Sequence, residues 1–189
     1  STTITTSETG YTLQYQIGGI AEESWTNTTS GSVIGNLQHG QIVYGRLFDG
    51  TNGSKTANID VQDETVPQQA TISLSGTSTN TEGSITATVT LTDNESGVNT
   101  TSSKWVYNTT SGAIGENEGS YTGGSFSAGQ TITLKATIAG TYYLHVLTVD
   151  NAGNKKETIS SAVTVKEPIV ADGSYSKEKG VNTPKLGSG

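Results

Sequence analysis

The sequence predicts an all-β chain of two sandwich modules in tandem, and three observations carry that prediction. Apolar residues alternate with polar ones in short runs, the period of a strand rather than of a helix. Gly, Asn, Ser and Asp clusters separate the runs, which is turn chemistry. Apolar residues rarely recur at three-four spacing, so no helix is expected.

The strongest run is Gly140–Val149, closed by Asp150-Asn151-Ala152-Gly153-Asn154. Alternation puts Tyr143, His145, Leu147 and Val149 on one face and Tyr142, Leu144, Val146 and Thr148 on the other. Both faces are largely apolar, so a central strand covered on both sides is expected. A weaker copy, Gly40–Gly53, has Asp49 where the longer run has Asp150. Further strands are expected at 4–7, 11–17, 32–37, 42–48 and 57–61, then at 70–75, 84–92, 104–108, 131–135, 140–149 and 158–165. Many short strands separated by turns indicate a sandwich or barrel.

The boundary is placed at Asp63-Glu-Thr-Val-Pro67, because proline is excluded from central strands and extends its predecessor. The first module then spans 1–64, a length that is short for a sandwich or that lacks a first strand. The second spans 65–166. Residues 167–189 hold two of the chain's three prolines and three lysines, and are read as an extended tail.

Composition narrows the function classes. Seventeen acidic against ten basic residues give a net charge of −7, and Arg46 is the one arginine. Nucleic acid and anionic membrane both require clustered cations, so neither is an expected partner. Cysteine is absent, which excludes disulfides, thiolate nucleophiles and cysteine zinc sites. Methionine is also absent, which is read as a piece of a longer product. No apolar run approaches the roughly 20 residues of a membrane helix.

The ordered set Ile85–Val98, then Trp105-Val-Tyr107, then Gly140–Asn154 resembles bacterial immunoglobulin-like repeats. These occur in extracellular and cell-surface proteins, especially of Gram-positive, clostridial-type bacteria. Residues 10–61 resemble a shorter, diverged relative. Residues 172–186 look like the connector before a further domain in clostridial surface or pilin-like proteins. The resemblance implies tandem immunoglobulin-like or fibronectin-like sandwiches in a non-catalytic spacer or adhesion role at the cell surface. The implied partners are other domains of the same protein, host or cell-wall glycans, or neighbouring subunits. It supplies no catalytic residues.

Candidate chemistry is sparse. Trp25 and Trp105, one per module, are read as core plugs together with Leu47, Leu144 and Val146, since an indole buries a large area. The alternative is sugar stacking by Trp25, Trp105, Tyr121, Tyr142 or Tyr143, which would make the chain a carbohydrate-binding module. A third reading is a pilin-like subunit assembling by strand addition through residues 1–7 or the tail. Asp60, Asp63, Glu64, Asp93 and Asp150 are candidate oxygen donors for calcium, although Asx turns are the preferred explanation of the turn acids. Calcium is the one cofactor in view. His39 and His145 lack metal-ligand spacing and are read as packing or surface residues. Lys104 and Lys135, with Glu95 or Glu118, are weak candidates for an isopeptide cross-link.

Overall fold

The computed structural model describes residues 1–127, 129–169, 175–178 and 181–184. Among them the chain is all-β apart from two single-turn 3-10 helices, Glu22–Ser24 and Glu118–Ser120. Two compact units form. One is Ser1–Gln68 with the loops Thr92–Asn99 and Val149–Lys156; the other is Gln69–Leu91, Thr100–Thr148 and the chain from Glu157 on. They differ from the expected 1–64 and 65–166 in those two loops, whose hydrogen bonds run to Asp63.

The first unit has a two-stranded and a four-stranded sheet. Strand β1 (Thr2–Ile4) pairs antiparallel with β4 (Ser32–Ile34). The other sheet runs β3 (Thr26–Thr28), β2 (Thr12–Ile17), β5 (Ile42–Phe48), β6 (Ala57–Asp60), all antiparallel. Leu13, Ile34 and Val43 are the buried apolar residues of these two sheets. β1 approaches so closely that a Cβ on Gly45 would lie 2.9 Å from Ile4 Cδ1. β1 ends at Ile4, and Leu47, expected in the core, stays half-buried in a cleft beside Thr6 and Lys55.

Trp25 is not a core plug either. Its ring lies 4.2 Å from the guanidinium carbon of Arg46, a cation–π contact. Arg46 is only 6% exposed. Its Nε donates to Gln14 Oε1 at 2.8 Å, and one terminal nitrogen pairs with Glu22 at 2.6 Å. The indole covers a buried cation and is itself only half-buried.

The second unit is an immunoglobulin-type sandwich. One sheet runs β12 (Gln130–Leu134), β9 (Ile85–Thr90), β7 (Thr71–Leu74). The other runs β11 (Gly124–Ser125), β10 (Lys104–Asn108), β13 (Gly140–Val149), β15 (Val163–Lys166), β8 (Ser78–Asn80), with β14 (Lys155–Ile159) also on β13. The chain leaves the first sheet after β7 and joins the second as β8, parallel to β15. Ile85, Ala87 and Val89 are buried while the threonines between them are exposed, the alternation of a strand with one face in the core.

Strand β13 is buried without interruption from Leu144 onward, on both faces. Leu144, Val146 and Leu147 are all 0% exposed. Tyr142, at the start of this strand, donates its hydroxyl to the Ile138 carbonyl at 3.0 Å, the tyrosine corner of such sandwiches. Trp105 shares the face of Val146 by register but stands next to the edge strand β11 and is half-buried. A Cβ on Gly123 would lie 2.3 Å from the Trp105 ring, so the indole lies against that glycine.

The expected strand at 158–165 is two strands, because the Ser160 hydroxyl accepts from the Leu144 amide and donates to the Ser161 carbonyl. The tail departs from its expected form. Tyr175–Glu178 (β16) and Val181–Pro184 (β17) pair antiparallel. Pro184 sits at a strand end, where a missing N–H is tolerated.

Replacing Gly123 by Ala should displace the Trp105 ring. Urea unfolding followed by tryptophan fluorescence should show a loss of about 1–3 kcal/mol. An unchanged midpoint and emission would mean that the ring does not rest on this residue.

Candidate metal centre

Three carboxylates converge in the first unit. Asp63 follows β6, Asp93 follows β9, and Asp150 closes β13. Each offers one oxygen, and those oxygens all lie within 4.8 Å of one another. Asp63 is 7% exposed and Asp150 is 0% exposed.

The turns explain the placement. Asp93 ends its strand in Asp93-Asn-Glu-Ser-Gly97, and its Oδ2 accepts from the amides of Gly97 at 2.6 Å and Glu95 at 3.1 Å. Asp150 starts Asp150-Asn-Ala-Gly-Asn154. Its Oδ1 accepts from the Asn154 amide and its Oδ2 from the Asn154 side chain, both at 2.8 Å. Gly153 supplies the positive φ of 93° that the turn requires. The two turns are joined by the Asn151 amide donating to the Gly97 carbonyl at 2.9 Å, and by its side chain donating to the Ser96 carbonyl at 2.8 Å.

Asp63 docks on both turns. Its Oδ2 accepts from the Ser96 amide at 3.1 Å, and its carbonyl accepts from Asn154 Nδ2 at 2.9 Å. Its Oδ1 accepts from the Thr65 amide at 2.9 Å, and its own amide donates to His39 Nδ1 at 3.2 Å. Burial pushes the Asp63 carboxyl up, but hydrogen bonds from Ser96 and Thr65 outweigh it. The carboxyl is held below the usual aspartate range.

One oxygen stands apart. Asp93 Oδ1 is fully enclosed and has no hydrogen-bond partner. A buried acceptor without a donor is costly, and a hard cation would satisfy it. All three ligands are oxygen, the donor set of calcium and magnesium rather than of zinc or copper.

The structure thus brings together three of the five acids expected to serve calcium. Asp60 and Glu64 are exposed and lie outside the cluster. The aromatic candidates divide differently. Tyr121 is 3% exposed, with its hydroxyl donating to the Gly115 carbonyl at 2.7 Å, which leaves no face for a sugar. Tyr142 forms the tyrosine corner and stacks on Tyr107 with centroids 5.1 Å apart. Tyr143 is half-buried. Lys104 lies 3.8 Å from Glu118, and Lys135 is exposed.

Neither a protein-family model nor a curated protein matches the chain. Among solved structures, the D00-D0 domain of Intimin is similar over 86% of this chain and 88% of that one, at 19% identity and a TM-score of 0.36. No helix among the described residues is long and apolar enough to cross a membrane.

Asp63 generates a pH prediction. A carboxylate whose folded pKa is depressed adds stability above its unfolded value, near pH 4, and loses it as pH falls through the folded value. In metal-free buffer, Asp63→Asn should therefore be less stable than the parent near pH 6, and the gap should close toward about pH 2. Circular dichroism melts across that range read the difference; a constant gap would remove Asp63 from the acid response.

Proposed function

We propose that the chain is a non-catalytic structural or adhesive module of a bacterial extracellular or cell-surface protein, and that Asp63, Asp93 and Asp150 hold a divalent cation, calcium in the first place. The observation that carries the cation is the three-loop carboxylate cluster with its enclosed, partnerless Asp93 oxygen. Calcium accepts irregular sets of six to eight oxygens, and extracellular modules bind it at roughly 10⁻⁴–10⁻³ M.

A structural role for the cation follows from the thinness of the first unit. Its buried apolar side chains are few, and the chain has no disulfide to compensate. Metal binding to the folded state alone supplies stability that such a core lacks. The partners in this role are neighbouring domains of the same surface protein.

The other readings find less support. Stacking on glycans requires exposed aromatic faces, and Tyr121 and Tyr142 are committed to contacts within the fold. Strand donation requires a free segment, whereas Thr2–Ile4 already pairs with Ser32–Ile34 and Tyr175–Glu178 with Val181–Pro184.

The test is a thermal melt with chelator and with calcium. Calcium at about a hundred times its dissociation constant should stabilise the fold by roughly 2.7 kcal/mol. Asp93→Asn keeps an acceptor for the Gly97 amide and places an amide group at the partnerless position. It should abolish the calcium response while leaving the chelated protein as stable as the parent or more so. A parent melt indifferent to calcium, magnesium and chelator rejects the metal site.

A further inference from the structure

His145 lies in the middle of β13 and is 0% exposed. Its Nδ1 is 2.9 Å from Glu157 Oε1, and its Nε2 is 2.8 Å from the Thr110 carbonyl oxygen. A carbonyl only accepts. A neutral imidazole carries one N–H, so it satisfies one of these contacts and turns a lone pair on the other.

The Glu157 side is ionised by its surroundings. Its carboxylate accepts from the Ile114 amide at 3.1 Å and from the Gly115 amide at 3.0 Å. Burial opposes the charge, yet the Ile114 amide, the histidine and the Gly115 amide together hold Glu157 below the usual glutamate range. With Glu157 an acceptor at every contact, the proton between the two side chains belongs to the ring.

From this geometry we infer that His145 is a buried imidazolium, and that its second proton latches the segment 109–121 onto the outer face of the β10–β13–β14 sheet. The segment has no strand of its own; it contains only the single 3-10 turn Glu118–Ser120. Its anchors are the Thr110 carbonyl on His145 and the Ile114 and Gly115 amides on Glu157, while the Tyr121 hydroxyl donates to the Gly115 carbonyl within the segment. Loss of the ring proton removes the first anchor and the charge that the Glu157 carboxylate faces.

The charged surroundings fit a cationic ring. From β14 come Glu157 and, two residues along on the same face, Lys155. From β10 comes Lys104, on the face of Val106 that opposes His145, with Glu118 at 3.8 Å. From the covering segment come Glu116 and Tyr121, whose hydroxyl is pushed up by burial and by Glu157 and Glu116. From β13 itself comes Tyr143. Glu157 makes the direct contact with the imidazole, at 2.9 Å.

The sign of the effect follows. A histidine stabilised in its charged form by a partner holds the latch at low pH and releases it as pH rises through the folded value. The chain has two histidines, so nitrogen-15 NMR of the imidazoles contains two ring systems, and His145→Gln identifies the relevant one by its disappearance. Both nitrogens of His145 should read as protonated at about pH 7. Glu157→Gln should move the titration down by about one pH unit or more, a tenfold change in the protonation equilibrium. Amide protection at Ile114 and Gly115 should fall about tenfold once the ring is deprotonated. A singly protonated ring at about pH 6, or a titration that Glu157→Gln leaves in place, overturns the inference. Equal protection on both sides of the titration overturns the latch.

Discussion

The second unit depends on a strand that has no solvent face. Sheets in sandwiches usually cover one face and wet the other, but β13 is buried on both sides from Leu144 to its end. One side meets the other sheet of the sandwich. The other side needs a cover, and the chain supplies it between β10 and β11. That cover has little regular structure, so its backbone groups cannot satisfy one another and must be satisfied by side chains beneath them. His145 and Glu157 occupy that position. An aliphatic residue at 145 would serve packing equally well and would leave the Thr110 carbonyl without a donor.

A second constraint is shared by β9 and β13. Each is followed by an Asp-Asn turn, and each aspartate caps its own turn by accepting an amide four residues ahead. The residue that stops the strand is also the residue that brings a carboxylate to the strand's end. Asx capping and metal binding are often treated as rival explanations of such turns. In Asp93 the two are compatible, because capping occupies Oδ2 and leaves Oδ1 enclosed and unsatisfied. Asp63 then adds a third carboxylate from the far side of a Pro-bearing connection.

Period-two runs marked several strands to the residue: Ile42–Phe48, Lys104–Asn108 and Gly140–Val149 coincide with β5, β10 and β13. The three-residue strands Thr26–Thr28 and Ser78–Asn80 carry no such signal, since three polar residues have no period. The large area of an indole does not fix its burial, so the sequence does not show that both indoles are only half-buried. Trp25 covers a guanidinium and Trp105 covers a glycine, and both relations join residues distant in sequence. Of the acids, those in the loops after β6, β9 and β13 converge, whereas Asp60 is the last residue of β6 and, like Glu64, is exposed. The His145–Glu157 pair was invisible as chemistry. Twelve residues and a turn separate the partners, and only the register of β14 on β13 brings them together.

Each unit thus buries a cation under a light cover: Arg46 beneath Trp25 in the first, His145 beneath the 109–121 segment in the second. Replacing a buried ion pair with well-packed apolar residues is often neutral or stabilising, so stability alone is a weak reason to keep one. The two nodes differ in what they can do. Arginine does not titrate in a protein, and the ring stacking and the Gln14 contact fix Arg46 in one arrangement at any accessible pH. Histidine titrates near neutrality, so the same design with an imidazole makes the cover conditional. A permanent charge in one unit and a removable one in the other implies that the first cover is architecture and the second is a device whose grip depends on the medium.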